Sequence, residues 1–211
     1  MSRRPFLTSE RGAAAAEFAL VLPLALLFFF GIIDAGRYDW EVNRAEKATQ
    51  IGARWAVATD IVPGGDSATG LKNYSFTVSS GVPQGTVVDN TLFPGVYCES
   101  NSGTLSCTCK GTCPFDVSID TTAQNAFDAI VRRMHAQYPA ITADNVRLDY
   151  DWSGLGFAGD PNGADVSPII TVSLRNMYFR PITLFLFNAD IPMPSFGYSL
   201  TTEDGDGTFA Y

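Results

Sequence analysis

Histidine is nearly absent from this 211-residue chain, with His135 the single example, and charged residues make up only 17% of it. A Ser-His-Asp constellation would have to use that one imidazole, and no G-x-S-x-G motif supplies a nucleophile for it. A phosphate-binding P-loop is missing as well, so the expectation is a protein that is not an enzyme. Basic residues thin out beyond residue 60, where seven Lys or Arg stand against fifteen Asp or Glu. With a net charge of −8 and a pI near 4.5, such a body repels duplex phosphates, and no nucleic-acid partner is expected. The four cysteines, Cys98, Cys107, Cys109 and Cys113, contain no C-x-x-C, the usual spacing of a redox-active pair. Their C-x8-C-x-C-x3-C order also lacks the paired C-x2-4-C ligands of a structural zinc site, so neither cofactor nor metal is expected.

What the chain does contain is one long apolar run near its start. Residues 18–33, FALVLPLALLFFFGII, are sixteen positions without a charge, and adding residues 13–16 gives 21 interrupted only by Glu17. An apolar helix of about 20 residues spans a hydrocarbon core. Pro23 is tolerated there because local adjustment or a neighbouring helix satisfies the freed carbonyl. A secretory signal peptide would have a shorter run and a small-residue cleavage site; here the only such exit, at Ala35 and Gly36, carries Asp34 and continues into more helix. Ahead of the run lie Arg3, Arg4 and Arg11 against Glu10. A basic start, an apolar span and an acidic body is the order of a chain whose N-terminus stays in the cytoplasm while the rest is exported.

Glu17 needs a reason to be where it is. A charge at the membrane centre costs on the order of 2.5–3.5 kcal/mol on insertion scales, so such a residue either sits at the interface or has a partner. The string RGAAAAEFALVLPLALLFFFGIIDAGR, residues 11–37, resembles the N-terminus of TadE-like proteins, pseudopilins of the tight-adherence (Flp-type) pilus apparatus. In that group a prepilin peptidase cuts after a glycine and a glutamate lies fifth in the mature chain. The resemblance implies a cut between Gly12 and Ala13, with Glu17 and Phe18 at the fifth and sixth mature positions. The new α-amino group and the Glu17 carboxylate, one helical turn apart, would then pair within a chain or between neighbours and offset each other's burial. Asp34 stands where the family often has glutamate.

Beyond Gly36 the pattern continues to about residue 59. Tyr38, Val42, Ala45, Ala48 or Thr49, Gly52 and Trp55 keep helical spacing, as in a stalk that enters a head. The expected organisation is a leader at 1–12, a membrane helix at 13–36, a helical stalk at 37–59 and an exported α+β domain at 60–211. Alternation predicts antiparallel strands around Tyr74–Phe76–Val78, Val146–Trp152, Ile170–Leu174 and Phe196–Leu200. An apolar stripe from Phe127 to Tyr138 predicts a helix at about 121–138, with Thr121 and Gln124 as a capping box and Pro139 after its end.

The cysteines lie in a Gly-, Ser- and Thr-rich stretch on the exported side that reads as a loop, where an even number reads as disulfides with three possible pairings. Gly154-Leu-Gly156-Phe-Ala-Gly159 satisfies G-x-G-x-x-G, but Asp160-Pro161 follows where a dinucleotide site needs a helix, so a hairpin loop is expected. Asp160, Asn162 and Asp165, or Glu203, Asp204 and Asp206, match no EF-hand spacing and read as solvated turns. Residues 177–187, MYFRPITLFLF, are too few to span a membrane and read as core, or as a surface lying on the membrane or on another subunit. Two functions follow: a minor pilin-like subunit in the inner membrane, processed by a prepilin peptidase and packing with other pilin-like subunits, or an uncleaved membrane-anchored exported module for binding or adhesion.

Overall fold

The computed structural model describes residues 10–161 and 163–202. Helix α1 runs over Glu10–Ala56 without interruption at Pro23, about 70 Å at 1.5 Å per residue. The chain divides into two compact units. One holds the residues up to Glu41 together with Tyr178–Pro192; the other holds Val42–Met177 and the residues from Met193 onward.

The larger unit is α+β, as alternation predicts. Strands β1 (Val96–Asn101), β2 (Thr104–Cys109), β3 (Val146–Asp151), β4 (Ile169–Leu174) and β7 (Phe196–Thr201) form one antiparallel sheet in the order β2-β1-β3-β4-β7. Val146, Leu148 and Tyr150 of β3 and Ile170, Val172 and Leu174 of β4 all point into the core, while the residues between them are half-exposed. Helix α3 (Thr121–Gln137) lays Ala123, Phe127, Ile130 and Met134 into the same core. The C-terminal half of α1 contributes small residues, Ala45, Ala48, Ala53 and Ala56, each no more than 2% exposed. Gly52 is packed tightly: a Cβ there would stand 2.6 Å from Met134 Sδ and 3.2 Å from Val172 Cγ1. Arg44 closes the far end by donating to the Gln137 carbonyl at 2.8 Å, satisfying an orphan acceptor at the end of α3.

Three local expectations change. Residues 74–78 are not a strand: Phe76–Ser80 form helix α2, with Ser75 Oγ accepting the Val78 N–H and Gly81 leaving at φ +70°. The alternation there came from Tyr74 and Phe76 entering an aromatic cluster with Phe115 while Val78 is left 84% exposed. Helix α3 is capped by Asp120, whose carboxylate accepts the Ala123 N–H at 2.7 Å, and not by a Thr121–Gln124 box. The carboxylate one position earlier reaches the orphan amides, and Gln124 turns to Asp128 instead. The cysteine-bearing stretch is no loop but the β1–β2 hairpin, turned at Ser102 (φ +53°) and Gly103 (φ +78°). Positive φ at both central residues is the two-residue turn whose twist matches the strands it joins.

In the smaller unit, β5 (Tyr178–Phe179) and β6 (Ile191–Pro192) pair as a short ladder. A 3₁₀ turn at Phe185–Phe187 lies between them and ends at Asn188 in a left-handed conformation. Residues 178–192, which the ladder closes into a flap, differ from the core reading. Phe179 is buried, but Tyr178, Ile182, Phe185 and Phe187 are between 46% and 76% exposed.

Candidate functional site

The apolar segment of α1 has no buried face. Every large apolar residue from Phe18 to Ile33 is exposed, with Leu20 at 75% and Phe28 at 67%, and among the described residues one helix is long and apolar enough to cross a membrane. A helix that is apolar all round has to be covered by lipid or by other helices. Gly12 lies near its start, where a Cβ would meet nothing within 4 Å. Ala13 is helical backbone whose side chain lies outside the described residues. Glu17 follows one turn later, on the same face as position 13, exposed and with no carboxylate partner among the described residues. Phe18 beside it is 65% exposed. The remainder of the expected leader, residues 1–9, lies outside the described residues.

The apolar surface ends at a built polar site. Asp34 is 6% exposed, and its two oxygens accept the Ile182 N–H at 2.8 Å, the Thr183 N–H at 2.8 Å and the Thr183 hydroxyl at 2.8 Å. Arg37, one turn on, donates to the same carboxylate at 3.2 Å and lies 5.2 Å over the Phe179 ring. Phe179 also meets Tyr38 edge to face at 5.4 Å. The carboxylate thus works as an anchor for two successive amides of the flap, a use the sequence reading did not find. A signal was available: Asp34 ends a sixteen-residue run without charge, where a carboxylate needs partners as much as Glu17 does. Between α1 and the flap lies an open pocket of about 320 Å³ walled by Gly31, Asp34, Tyr38, Phe179, Thr183 and Leu184 among others.

In the larger unit the cysteines are all paired, Cys98 with Cys107 and Cys109 with Cys113. The first bond joins residues directly opposite each other in the hairpin; the second ties the end of β2 to the segment that follows it. The G-x-G-x-x-G string is the connection between antiparallel β3 and β4, with positive φ at all three glycines and no helix. Asp165 in that connection is a structural acceptor, taking the N–H of Phe76 at 2.7 Å and of Asp160 at 3.2 Å. Asn162, Glu203, Asp204 and Asp206 lie outside the described residues. Among the described residues no cluster of His, Cys, Asp and Glu is arranged to hold a metal. His135 is exposed on α3, its Nδ1 2.8 Å from the Ile141 carbonyl.

Residues 12–54 match the family model described as TadE-like protein. No curated protein and no solved structure matches the chain. The matched stretch starts at Gly12 and covers Glu17, the whole apolar segment and Asp34, and it suggests a protein associated with the tight-adherence (Tad) pilus. From Gly12 to Arg54, the N-terminal helix of this chain is similar to that of TadE-like proteins.

Proposed function

We propose that this chain is a minor pilin-like subunit, a pseudopilin, that acts in the assembly or priming of a tight-adherence pilus and carries out no catalysis of its own. The observation that carries the reading is the coincidence of the TadE-like match with an exposed apolar helix that has Gly12 at its start and Glu17 a turn inside it. The helix sits in the inner membrane with its N-terminus in the cytoplasm, in line with Arg3, Arg4 and Arg11. A prepilin peptidase cuts between Gly12 and Ala13. Glycine suits that position because it puts no side chain in the way of a protease. The freed amine of Ala13 then meets a Glu17 carboxylate in a bilayer, where an unpaired charge is costly, and the residues from Phe18 to Ile33 pack against other pilin-like subunits.

N-terminal sequencing and intact mass of the protein taken from its host membrane test this. A mature chain that begins at Ala13 is the expected result. Intact Met1 would overturn the proposal in favour of an uncleaved exported binding module, and a start near Arg37 would make the apolar run a signal peptide. Gly12→Trp is expected to block processing and leave membrane insertion intact.

A further inference from the structure

The flap of residues 178–192 presents exposed apolar side chains beside α1. Its base is level with Tyr38, where Phe179 packs edge to face. Its middle is level with Asp34, which holds the amides of Ile182 and Thr183. Leu184 joins Gly31 in the wall of the pocket. The chain therefore runs back along α1 from residue 38 to residue 31, about 10 Å toward the apolar segment. The residues that come next are the most exposed aromatics of the flap, Phe185 at 65% and Phe187 at 76%, with Ile182 at 46% beside them.

Residues 14–33 of α1 are about 30 Å long, the thickness of a hydrocarbon core, so Asp34 stands at its rim. Exposed Phe185 and Phe187 thus add to the exposed apolar surface of the span, and Phe is among the side chains that interfacial segments bury at the headgroup–acyl boundary. The only charges of the flap, Arg180 and Asp190, neutralise each other at 2.9 Å. Attraction to anionic headgroups is therefore not the driving force, and burial of apolar side chains is.

We propose that the flap is an interfacial membrane anchor, held to the span by Asp34, whose Phe185 and Phe187 enter the headgroup–acyl boundary of the leaflet nearest residue 34. The inference rests on the reading of the apolar segment as a membrane span.

The test uses the full chain in phosphatidylcholine vesicles, with single thiols introduced at Phe187, Ile182, Leu27 and Val78 and labelled with bimane; the native cysteines are all paired and do not compete. Lipids spin-labelled at shallow or deep acyl positions quench the label according to its depth. The proposal expects Phe187→Cys and Ile182→Cys to be quenched several-fold more by shallow than by deep spin labels. It expects Leu27→Cys to show the reverse order and Val78→Cys, in the head, to be unaffected. It further expects the flap signal to be unchanged when phosphatidylglycerol is added or when the protein is diluted in lipid. If Leu27→Cys is quenched while both flap positions behave like Val78→Cys, the anchor is wrong and the span stands. If Leu27→Cys is not quenched, the span reading itself fails. A flap signal that disappears on dilution identifies a second copy of the chain as the occupant and overturns the membrane assignment.

Discussion

Asp34 and Thr183 meet across 149 positions of sequence, the carboxylate of one accepting both the amide and the hydroxyl of the other at 2.8 Å. Removing the carboxylate leaves the amides of Ile182 and Thr183 without their acceptor, and a hydrogen bond to a charged group contributes about 1.5–3 kcal/mol. Asp34→Ala is therefore expected to release the flap: hydrogen exchange at those two amides should rise sharply, while the sheet amides of β3 and β4 keep their protection. Asp34→Asn should be intermediate, because it keeps one acceptor oxygen while its amide nitrogen, a donor, cannot accept from the flap.

Gly52 is the second pressure point. With Met134 Sδ at 2.6 Å and Val172 Cγ1 at 3.2 Å from any added Cβ, a side chain there has to displace core atoms from both α3 and β4. Gly52→Ala gains up to about 1 kcal/mol of helix propensity, and the flexible Met134 thioether can give way. Gly52→Val gains less and intrudes more, so it is expected to lose about 1–3 kcal/mol. Thermal unfolding of the detergent-solubilised protein should place Gly52→Val clearly below the parent and Gly52→Ala close to it.

How much of this was legible in the sequence follows from the range of the interactions. The apolar segment, the α+β head and strands β3, β4 and β7 are local patterns, and Val146–Leu148–Tyr150 alternates because one side of β3 is core. The β1–β2 hairpin was missed because Glu99, Asn101, Thr104, Ser106 and Thr108 give it a polar outer face that reads as loop. Its Ser102–Gly103 turn was the available clue. Disulfide pairing stayed open until the hairpin register put Cys98 opposite Cys107. The Asp34 clasp has no local signature for its partners, since backbone amides look alike in any sequence and only the fold brings Ile182 and Thr183 to the carboxylate.

The two disulfides should differ in worth. Chain-entropy estimates for loops closed by separations of 9 and 4 residues are roughly 2–3 and about 2 kcal/mol respectively. Cys98 is also fully buried in the sheet, so replacing it removes packing as well. Cys98→Ala with Cys107→Ala is expected to lower the unfolding midpoint more than Cys109→Ala with Cys113→Ala. Equal losses from the two pairs, measured by urea unfolding, would contradict this ordering.

Glu17 separates insertion from assembly. Glu17→Leu removes a charge whose burial costs on the order of 2.5–3.5 kcal/mol at mid-membrane, so insertion should be unchanged or improved. If Glu17 pairs with the amine of Ala13, in the same or a neighbouring chain, the variant should still be processed and yet fail to cross-link to other pilin-like subunits in the membrane. Normal cross-linking in that variant would remove the pairing role.

Asp120 links α3 to the turn that precedes it in the fold. Its carboxylate caps the helix through the Ala123 N–H at 2.7 Å and accepts the Asp66 N–H at 2.9 Å, and these amides, the Ala123 N–H foremost, hold its pKa below the usual carboxylate value. A depressed folded-state pKa means that its stabilisation is complete above about pH 4, the unfolded value, and is lost as pH falls through the lower folded one. Asp120→Ala is expected to cost about 1 kcal/mol at neutral pH, the typical worth of an N-cap. Asp120→Asn keeps a neutral acceptor and should lose less. The decisive comparison is between neutral and acidic unfolding curves: the gap between parent and Asp120→Ala should narrow as pH drops below 4, whereas a gap that is constant with pH would mean that the carboxylate charge contributes nothing to the cap.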